Sequence, residues 1–163
     1  MKYLIIIFAV MLLSSCTREQ RIHKYRKSID SLKMEVGQME KEYRPGLGEM
    51  MSSIQMHHAK LWFAGINNNW KLSEYEIGEI RELIESAKEI LSDRPEIKTI
   101  PMIYPPIDSI AKAVKMQNEE LFKTGFKQLT VTCNACHQLN HFEFNVITVP
   151  NAPPVTNQDF KVH

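Results

Sequence analysis

Residues 118–137 read NEELFKTGFKQLTVTCNACH, and this stretch decides the fold. Asn118 is a favourable helix N-cap, and Glu119 and Glu120 suit the positive end of a helix dipole. After this start, apolar and reactive side chains recur at the spacing of a single helix face. In chain order they are Phe122, Phe126, Leu129, Cys133, Cys136 and His137. The stretch therefore predicts an amphipathic helix with two cysteines and a histidine on its inner face, near its C-terminal end.

The last five residues of this stretch form a C-x-x-C-H motif, which is the attachment signature of a c-type haem. Cys133 and Cys136 share one helix face, so both thiols can add to the two vinyl groups of one haem. His137 directly follows the second cysteine and can reach the iron as proximal ligand. The motif predicts one covalent haem c on these three residues.

The same two cysteines are also compatible with a redox dithiol or with half of a zinc site. A zinc site needs further ligands, and the sequence has no second C-x-x-C. A dithiol of the thioredoxin kind is expected beside a βαβ pattern, whereas the residues around this motif are helical in pattern.

The first residues of the chain indicate export. Lys2 precedes an apolar run over residues 3–13, which is too short for a membrane span and is typical of a secretory signal peptide. The run ends Leu13-Ser14-Ser15-Cys16, which resembles the lipobox of bacterial lipoproteins. We therefore expect residues 1–15 to be a signal peptide, and Cys16 to be lipidated and anchored on the periplasmic side of the inner or outer membrane. Because haem is attached outside the cytoplasm, the export signal and the motif agree.

The composition is that of an ordinary globular protein, and it gives no indication of nucleic-acid binding. Of the 163 residues, 44% are hydrophobic and 24% are charged, and the formal net charge is +1. No catalytic constellation is evident, so we do not expect an enzyme.

Residues 16–44 are predicted to form an amphipathic stalk helix that carries the lipid. Its apolar residues alternate by three and four, as in a heptad repeat. They are Ile22, Tyr25, Ile29, Leu32, Val36, Met39 and Tyr43. In a parallel pair of such helices Arg21 would face Arg26 and Glu35 would face Glu40, so like charges disfavour parallel self-association. The alternative is a helix that packs on its own bundle.

The remaining sequence predicts three more helices and a tail. Hydrophobic periodicity places the helices over about residues 48–64, 72–91 and 107–116. Four prolines predict a loop over residues 95–106, and residues 142–163 are expected to be an extended tail that lies across the bundle.

Four helices with the motif late in the last one resemble the cytochrome c′ and cytochrome c-556 class. The resemblance covers about residues 45–141 and implies an all-α, four-helix bundle that holds one haem in its core. The chain differs from that class in its short third helix and in a last helix that ends near His141. The resemblance implies electron transfer with a redox partner protein.

The sixth position of the iron is the least defined part of this prediction. In an antiparallel bundle the start of the first helix lies near the end of the last one, which makes Met51 the candidate distal ligand. His58 on the same inward stripe is the alternative ligand, or a core histidine. Without a sixth ligand the haem iron would be five-coordinate, and the chain would be a gas-binding or gas-sensing protein of the cytochrome c′ type. A third possibility is a haem subunit docked on a larger membrane complex through the stalk.

Overall fold

The chain is described by a computed structural model that places the backbone of residues 2–162 and the side chains of residues 18–40 and 42–162. Within this part of the chain there are five α-helices, two short 3-10 helices and no strand. The α-helices are, in order, α1 Lys2–Glu42, α2 Leu47–Ile66, α3 Trp70–Ile90, α4 Tyr104–Lys115 and α5 Glu119–Leu139. The prediction of an all-α chain is confirmed.

Residues 1–44 form a compact unit of their own, which consists mainly of α1. The apolar side chains of the heptad stripe, from Ile22 to Tyr43, are exposed. The predicted signal peptide, residues 1–15, and the predicted lipidation site Cys16 lie outside the described side chains. Among the residues that are described, no helix combines the length and the apolar character needed to cross a membrane.

Residues 45–163 form the second unit, in which α2 to α5 pack into a closed bundle. α2 packs along α3 and α4 along α5, while α3 contacts α4 and α2 contacts α5. Three residues, 67–69, join α2 to α3, and residues 116–118 join α4 to α5. Connections this short produce antiparallel helix hairpins, so the start of α2 and the end of α5 lie at the same end of the bundle.

The core is filled by large side chains from all four helices. The most completely buried apolar ones are Leu61, Ile80, Ile84, Ile107, Ile110, Phe122, Phe126 and Leu129. One polar contact also ties α2 to α3, where Nδ1 of His57 lies 2.6 Å from a carboxylate oxygen of the buried Glu76. A carboxylate in this position needs such a partner because burying it alone is costly.

The prediction of a loop throughout residues 95–106 is wrong in detail. The segment contains two 3-10 helices, Pro95–Lys98 and Ile100–Ile103, and α4 already begins at Tyr104. Proline is tolerated in the first turn of a helix, because the N–H it lacks has no partner there. The prolines at positions 105 and 106 therefore begin α4 instead of excluding it.

Three helices of the bundle end in the same backbone motif without a glycine. Asn68, Gln117 and His141 have φ values of 56°, 52° and 63°, in the left-handed region that glycine normally occupies. In each case the next N–H bonds back to a carbonyl five residues earlier. These bonds are Asn69 N to Ala64 O (2.9 Å), Asn118 N to Ala113 O (3.0 Å) and Phe142 N to His137 O (2.8 Å). The pattern is the Schellman motif, which satisfies carbonyls at the helix end.

Candidate functional site

A cavity of about 300 Å³ lies between the helices of the bundle, at the end where α5 stops. Its lining includes all three motif residues, Cys133, Cys136 and His137, together with Met51 and His58 of α2. The five bundle residues that the sequence singled out are therefore brought together around one space. Most other lining side chains are apolar: Ile54, Ile80, Ile84, Ile100, Ile103, Leu129 and Ile147. The volume falls at the lower end of the range of about 300–1,000 Å³ that small-molecule and cofactor sites occupy.

A second cavity of about 240 Å³ shares Met51, Cys136 and His137 with the first, and it has a more polar edge. Arg94 and Glu96 line it and form an ion pair, with Nη2 of Arg94 2.7 Å from Oε1 of Glu96. The two spaces together offer an apolar interior beside a charged rim.

The ring of His137 is fixed in one tautomer by a backbone carbonyl. Its Nδ1 lies 2.5 Å from the carbonyl oxygen of Asn145. A carbonyl only accepts hydrogen bonds, so Nδ1 carries the proton and donates it. Nε2 of His137 consequently keeps its lone pair, which is the state that a histidine needs to bind a metal.

Both cysteines of the motif are free thiols that line the larger cavity. Burial raises the pKa of the Cys133 thiol to about 12, with a smaller contribution from the neighbouring Cys136. The thiol of Cys133 therefore stays protonated at neutral pH. A redox-active dithiol acts as a thiolate, so this environment does not favour one.

Cys136 is held by a polar network at the end of α5. Its sulfur lies 3.4 Å from Oγ1 of Thr99, and that hydroxyl donates to the carbonyl of Glu96 at 2.7 Å. Asn140 completes the network by donating to both Thr99 Oγ1 and the carbonyl of Cys136, at 2.7 Å each. The network joins the 3-10 segment to the last turn of α5 and so fixes the position of the second thiol.

Two adjacent methionines at the start of α2 have different environments. Met50 is 5% exposed and belongs to the hydrophobic core, and it is not among the lining of either cavity. Met51 is partly buried against that core and lines both cavities. Of the two, Met51 is the one that presents its side chain to the same space as His137.

His58 lies deeper in the bundle and is already engaged. The hydroxyl of Thr130 donates to the carbonyl of Phe126 at 3.0 Å, so its oxygen accepts from Nε2–H of His58, also at 3.0 Å. The ring packs against that of Phe126, with centroids 4.4 Å apart and the ring planes inclined by 33°. Burial lowers the pKa of His58 to about 4, so it is neutral at physiological pH. Binding a metal through Nε2 would cost the hydrogen bond to Thr130.

One side of the site is built by residues that the sequence analysis did not single out. Residues 142–149, here called the strap, run back along the last turns of α5. The side-chain amide of Asn134 donates to the carbonyl of Ile147 and accepts from its N–H, at 2.8 Å each. Asn145 and Ile147 line the larger cavity, and Val149 packs against the core. The alternation of apolar residues after α5 was visible in the sequence, but nothing in it indicated where the strap would attach.

His141 follows His137 at a spacing that zinc-binding histidines on a helix can share. However, α5 ends at Leu139, and His141 is exposed beyond that end with its left-handed φ. Among the described residues there is no group of three or more His, Cys, Asp or Glu side chains arranged to hold a metal ion.

Comparison of the chain with protein-family models, with curated proteins and with solved structures gave no match.

Proposed function

We propose that this chain is an exported, lipid-anchored cytochrome c that carries one covalent haem and transfers electrons to or from a redox partner protein. The observation that carries the proposal is the lining of the larger cavity. Both thiols of the C-x-x-C-H motif, the imidazole of His137 and the thioether of Met51 face one largely apolar space. The resemblance to the bundle cytochromes required this convergence, and the motif alone did not guarantee it.

The residues present fit a haem group. Cys133 and Cys136 would hold it, as each thiol adds across one vinyl group. Each addition would form a carbon–sulfur bond and place the thiol proton on the other vinyl carbon, with no electron gained or lost. His137 would be the proximal ligand through Nε2, because Nδ1–H is committed to the carbonyl of Asn145. The bound haem supplies one-electron exchange at its iron. The apolar side chains of the cavity would keep water from the group, and the guanidinium of Arg94 at the rim is already paired with Glu96.

Met51 favours electron transfer over gas binding. A thioether opposite histidine raises the reduction potential and occupies the position that a gas would take. Met51 lines the same cavity as His137, whereas Nε2 of His58 is engaged by Thr130. We therefore propose Met51 as the distal ligand, with His58 packed behind it.

The alternative is a five-coordinate haem that binds gases. It is favoured by the apolar side chains that line the same cavity. If Met51 did not bind the iron, they would surround the sixth iron position with an apolar space. Ile54, Ile80, Ile84 and Leu129 are the ones that would contribute.

The proposed organisation of the chain has four parts. Residues 1–15 would be the signal peptide and residues 16–44 the lipidated stalk, followed by the haem bundle over residues 45–141 and the tail over 142–163. The exposed apolar stripe of α1 also suits a third possibility, in which the stalk docks the chain as a haem subunit of a larger membrane complex.

Acid–acetone extraction tests the covalent haem. Protein matured in a host with haem-attachment machinery should keep its colour through the extraction, because thioether bonds resist acid. The double variant Cys133→Ala/Cys136→Ala should lose its haem to the organic phase, while Cys16→Ser should keep it. Loss of all colour from the wild type would overturn the proposal.

Mass spectrometry of the mature protein tests the lipid anchor. The wild type should begin at Cys16 and carry acyl chains, each buried CH₂ contributing roughly 0.8 kcal/mol to membrane binding. Cys16→Ser should release the protein from membranes or stall its processing. A mature N-terminus at another residue without lipid would contradict the anchor while leaving the haem proposal intact.

A further inference from the structure

Asn134 lies between the two cysteines of the motif, at a position for which C-x-x-C-H specifies no residue. Both the nitrogen and the oxygen of its side-chain amide bond to the backbone of one residue, 13 positions further along the chain. Nδ2 donates to the carbonyl of Ile147 and Oδ1 accepts from the N–H of Ile147, both at 2.8 Å. Two bonds between one amide group and one residue fix both the distance and the register of that residue, in the manner of a strand pair.

This pair determines where the carbonyl of Asn145 lies. Asn145 is only two residues before Ile147, and the other end of the strap is tied by Phe142 N–H to the carbonyl of His137 at 2.8 Å. A further bond from Asn145 N–H to the carbonyl of Phe142, at 2.9 Å, rigidifies the segment between these ends. The strap is therefore held at both ends on α5, with the Asn145 carbonyl against the ring of His137.

Helix formation does not explain an asparagine at this position. Asparagine is a poorer helix former than alanine, because its side chain competes for backbone hydrogen bonds. In the interior of α5 the amide of Asn134 makes its two bonds to Ile147, in the strap, instead of to its own helix. The contact with the strap is what compensates for the unfavourable residue type.

We propose that Asn134 is a positioning residue, which clamps the strap so that the carbonyl of Asn145 orients the ring of His137 and makes it a stronger iron ligand. The inference rests on the proposed function, because it assigns a role toward the iron. An Nδ1–H that donates to a carbonyl raises the electron density at Nε2. A more basic ligand stabilises the oxidised iron, and so the clamp lowers the reduction potential.

The clamp itself is tested on the full-length protein as purified. Asn134→Ala removes both bonds to Ile147. Gln138→Ala is the control, since it removes an exposed side chain one turn further along α5. Hydrogen exchange at the Ile147 amide should become at least about tenfold faster in Asn134→Ala, and should not change in Gln138→Ala. Unchanged exchange in Asn134→Ala would overturn the clamp.

The role toward the iron is tested by the midpoint potential of the same variants. Asn134→Ala should shift the potential upward, and Gln138→Ala should match the wild type. A purely structural role would loosen the strap without this shift, so equal potentials would overturn the positioning role. A wild type without covalent haem would instead overturn the proposed function, and the exchange experiment would still decide whether Asn134 clamps the strap.

Discussion

Gly65 of α2 lies directly against the ring of Phe122 in α5. A Cβ atom built on Gly65 would be 2.0 Å from Cζ of that ring, which is closer than any two such atoms approach. Phe122 has no exposed surface, so its ring has no free space into which to move. The absence of a side chain at residue 65 therefore sets how closely α2 and α5 pack, and hence the spacing of the two helices that flank the candidate site.

Gly65→Ala should destabilise the bundle. The added methyl group overpacks the contact with Phe122, which costs about 1–3 kcal/mol, and this exceeds the gain in helix propensity. Gly78→Ala is the matched control, because no atom lies within 4 Å of a Cβ at that glycine of α3. It should stabilise the protein by roughly 0.5–1 kcal/mol. Urea unfolding of both variants measures the difference, and equal effects would show that the contact with Phe122 is not limiting.

Met51→Leu should change the coordination of the iron, if the chain carries haem as proposed. Leucine has nearly the volume of methionine but no sulfur, so the haem should become high-spin and bind carbon monoxide readily. Met50→Leu makes the same change at the neighbouring core residue and should leave the optical spectrum unaltered.

Two other results would reassign the distal side. A wild-type protein that is already high-spin would move the gas-binding alternative ahead of electron transfer. A change of spin state in His58→Ala, but not in Met51→Leu, would identify histidine as the ligand.

His58 should make the stability of the bundle depend on pH. Burial lowers its pKa from 6.5 to about 4 in the folded state, so the folded chain binds this proton less readily than the unfolded chain. The stability contributed by the neutral ring is complete above pH 6.5, and it is lost as the pH falls toward 4.

Replacing the ring with a group that does not titrate isolates this effect. His58→Gln keeps an N–H donor for Thr130. From pH 7 to pH 4 the free energy of unfolding of the wild type should fall by about 3 kcal/mol more than that of the variant. Parallel pH profiles in urea titrations would mean that His58 is not buried in its neutral form.

Gln117→Gly should stabilise the protein. Gln117 has a φ of 52°, a conformation that costs an L-residue roughly 1 kcal/mol and glycine almost nothing. We expect a gain of about 0.5–1 kcal/mol in the free energy of unfolding. Met116→Gly is the control, since Met116 has an ordinary φ of −81° and should gain nothing. A loss of stability in both variants would show that flexibility in the unfolded chain outweighs the relief of strain.

The sequence predicted α2, α3 and the start of α5 most closely. α2 and α3 extend by no more than two residues beyond their predicted bounds at the N-terminal side, and α5 begins after the predicted N-cap. That cap is made by Asn118, whose side chain accepts from the N–H of Leu121 at 3.0 Å. These elements are encoded locally, because a regular apolar stripe and a capping side chain act over a few residues.

Helix ends and prolines were harder to predict, because the local sequence does not determine their structure on its own. The usual signal for the end of a helix is glycine, but here Asn68, Gln117 and His141 take its conformation under the constraint of the tertiary fold. Proline signals a break, yet at the start of α4 it is compatible with the first turn. In both cases the residue type allows two outcomes, and contacts outside the segment select one.

The candidate site could be predicted only in part. The motif and the inward stripe of α2 pointed to the cavity-lining residues Cys133, Cys136, His137, Met51 and His58. The strap could not be predicted because the side chain of Asn134 attaches it through the backbone N–H and carbonyl of Ile147, and backbone groups carry no sequence signal.

The place of the strap in the chain imposes an order on assembly. Residues 145 and 147 complete the lining of the larger cavity, yet they follow the motif and are the last part of that lining to be synthesised. Until they pack, the cavity lacks the part of its lining that these two residues provide. Under the proposed function, we expect the thioethers to form before these residues pack, so that the attachment machinery acts on an unfinished fold. A chain that ends at residue 141 should still acquire its cofactor, although it lacks the part of the cavity lining that residues 145 and 147 provide.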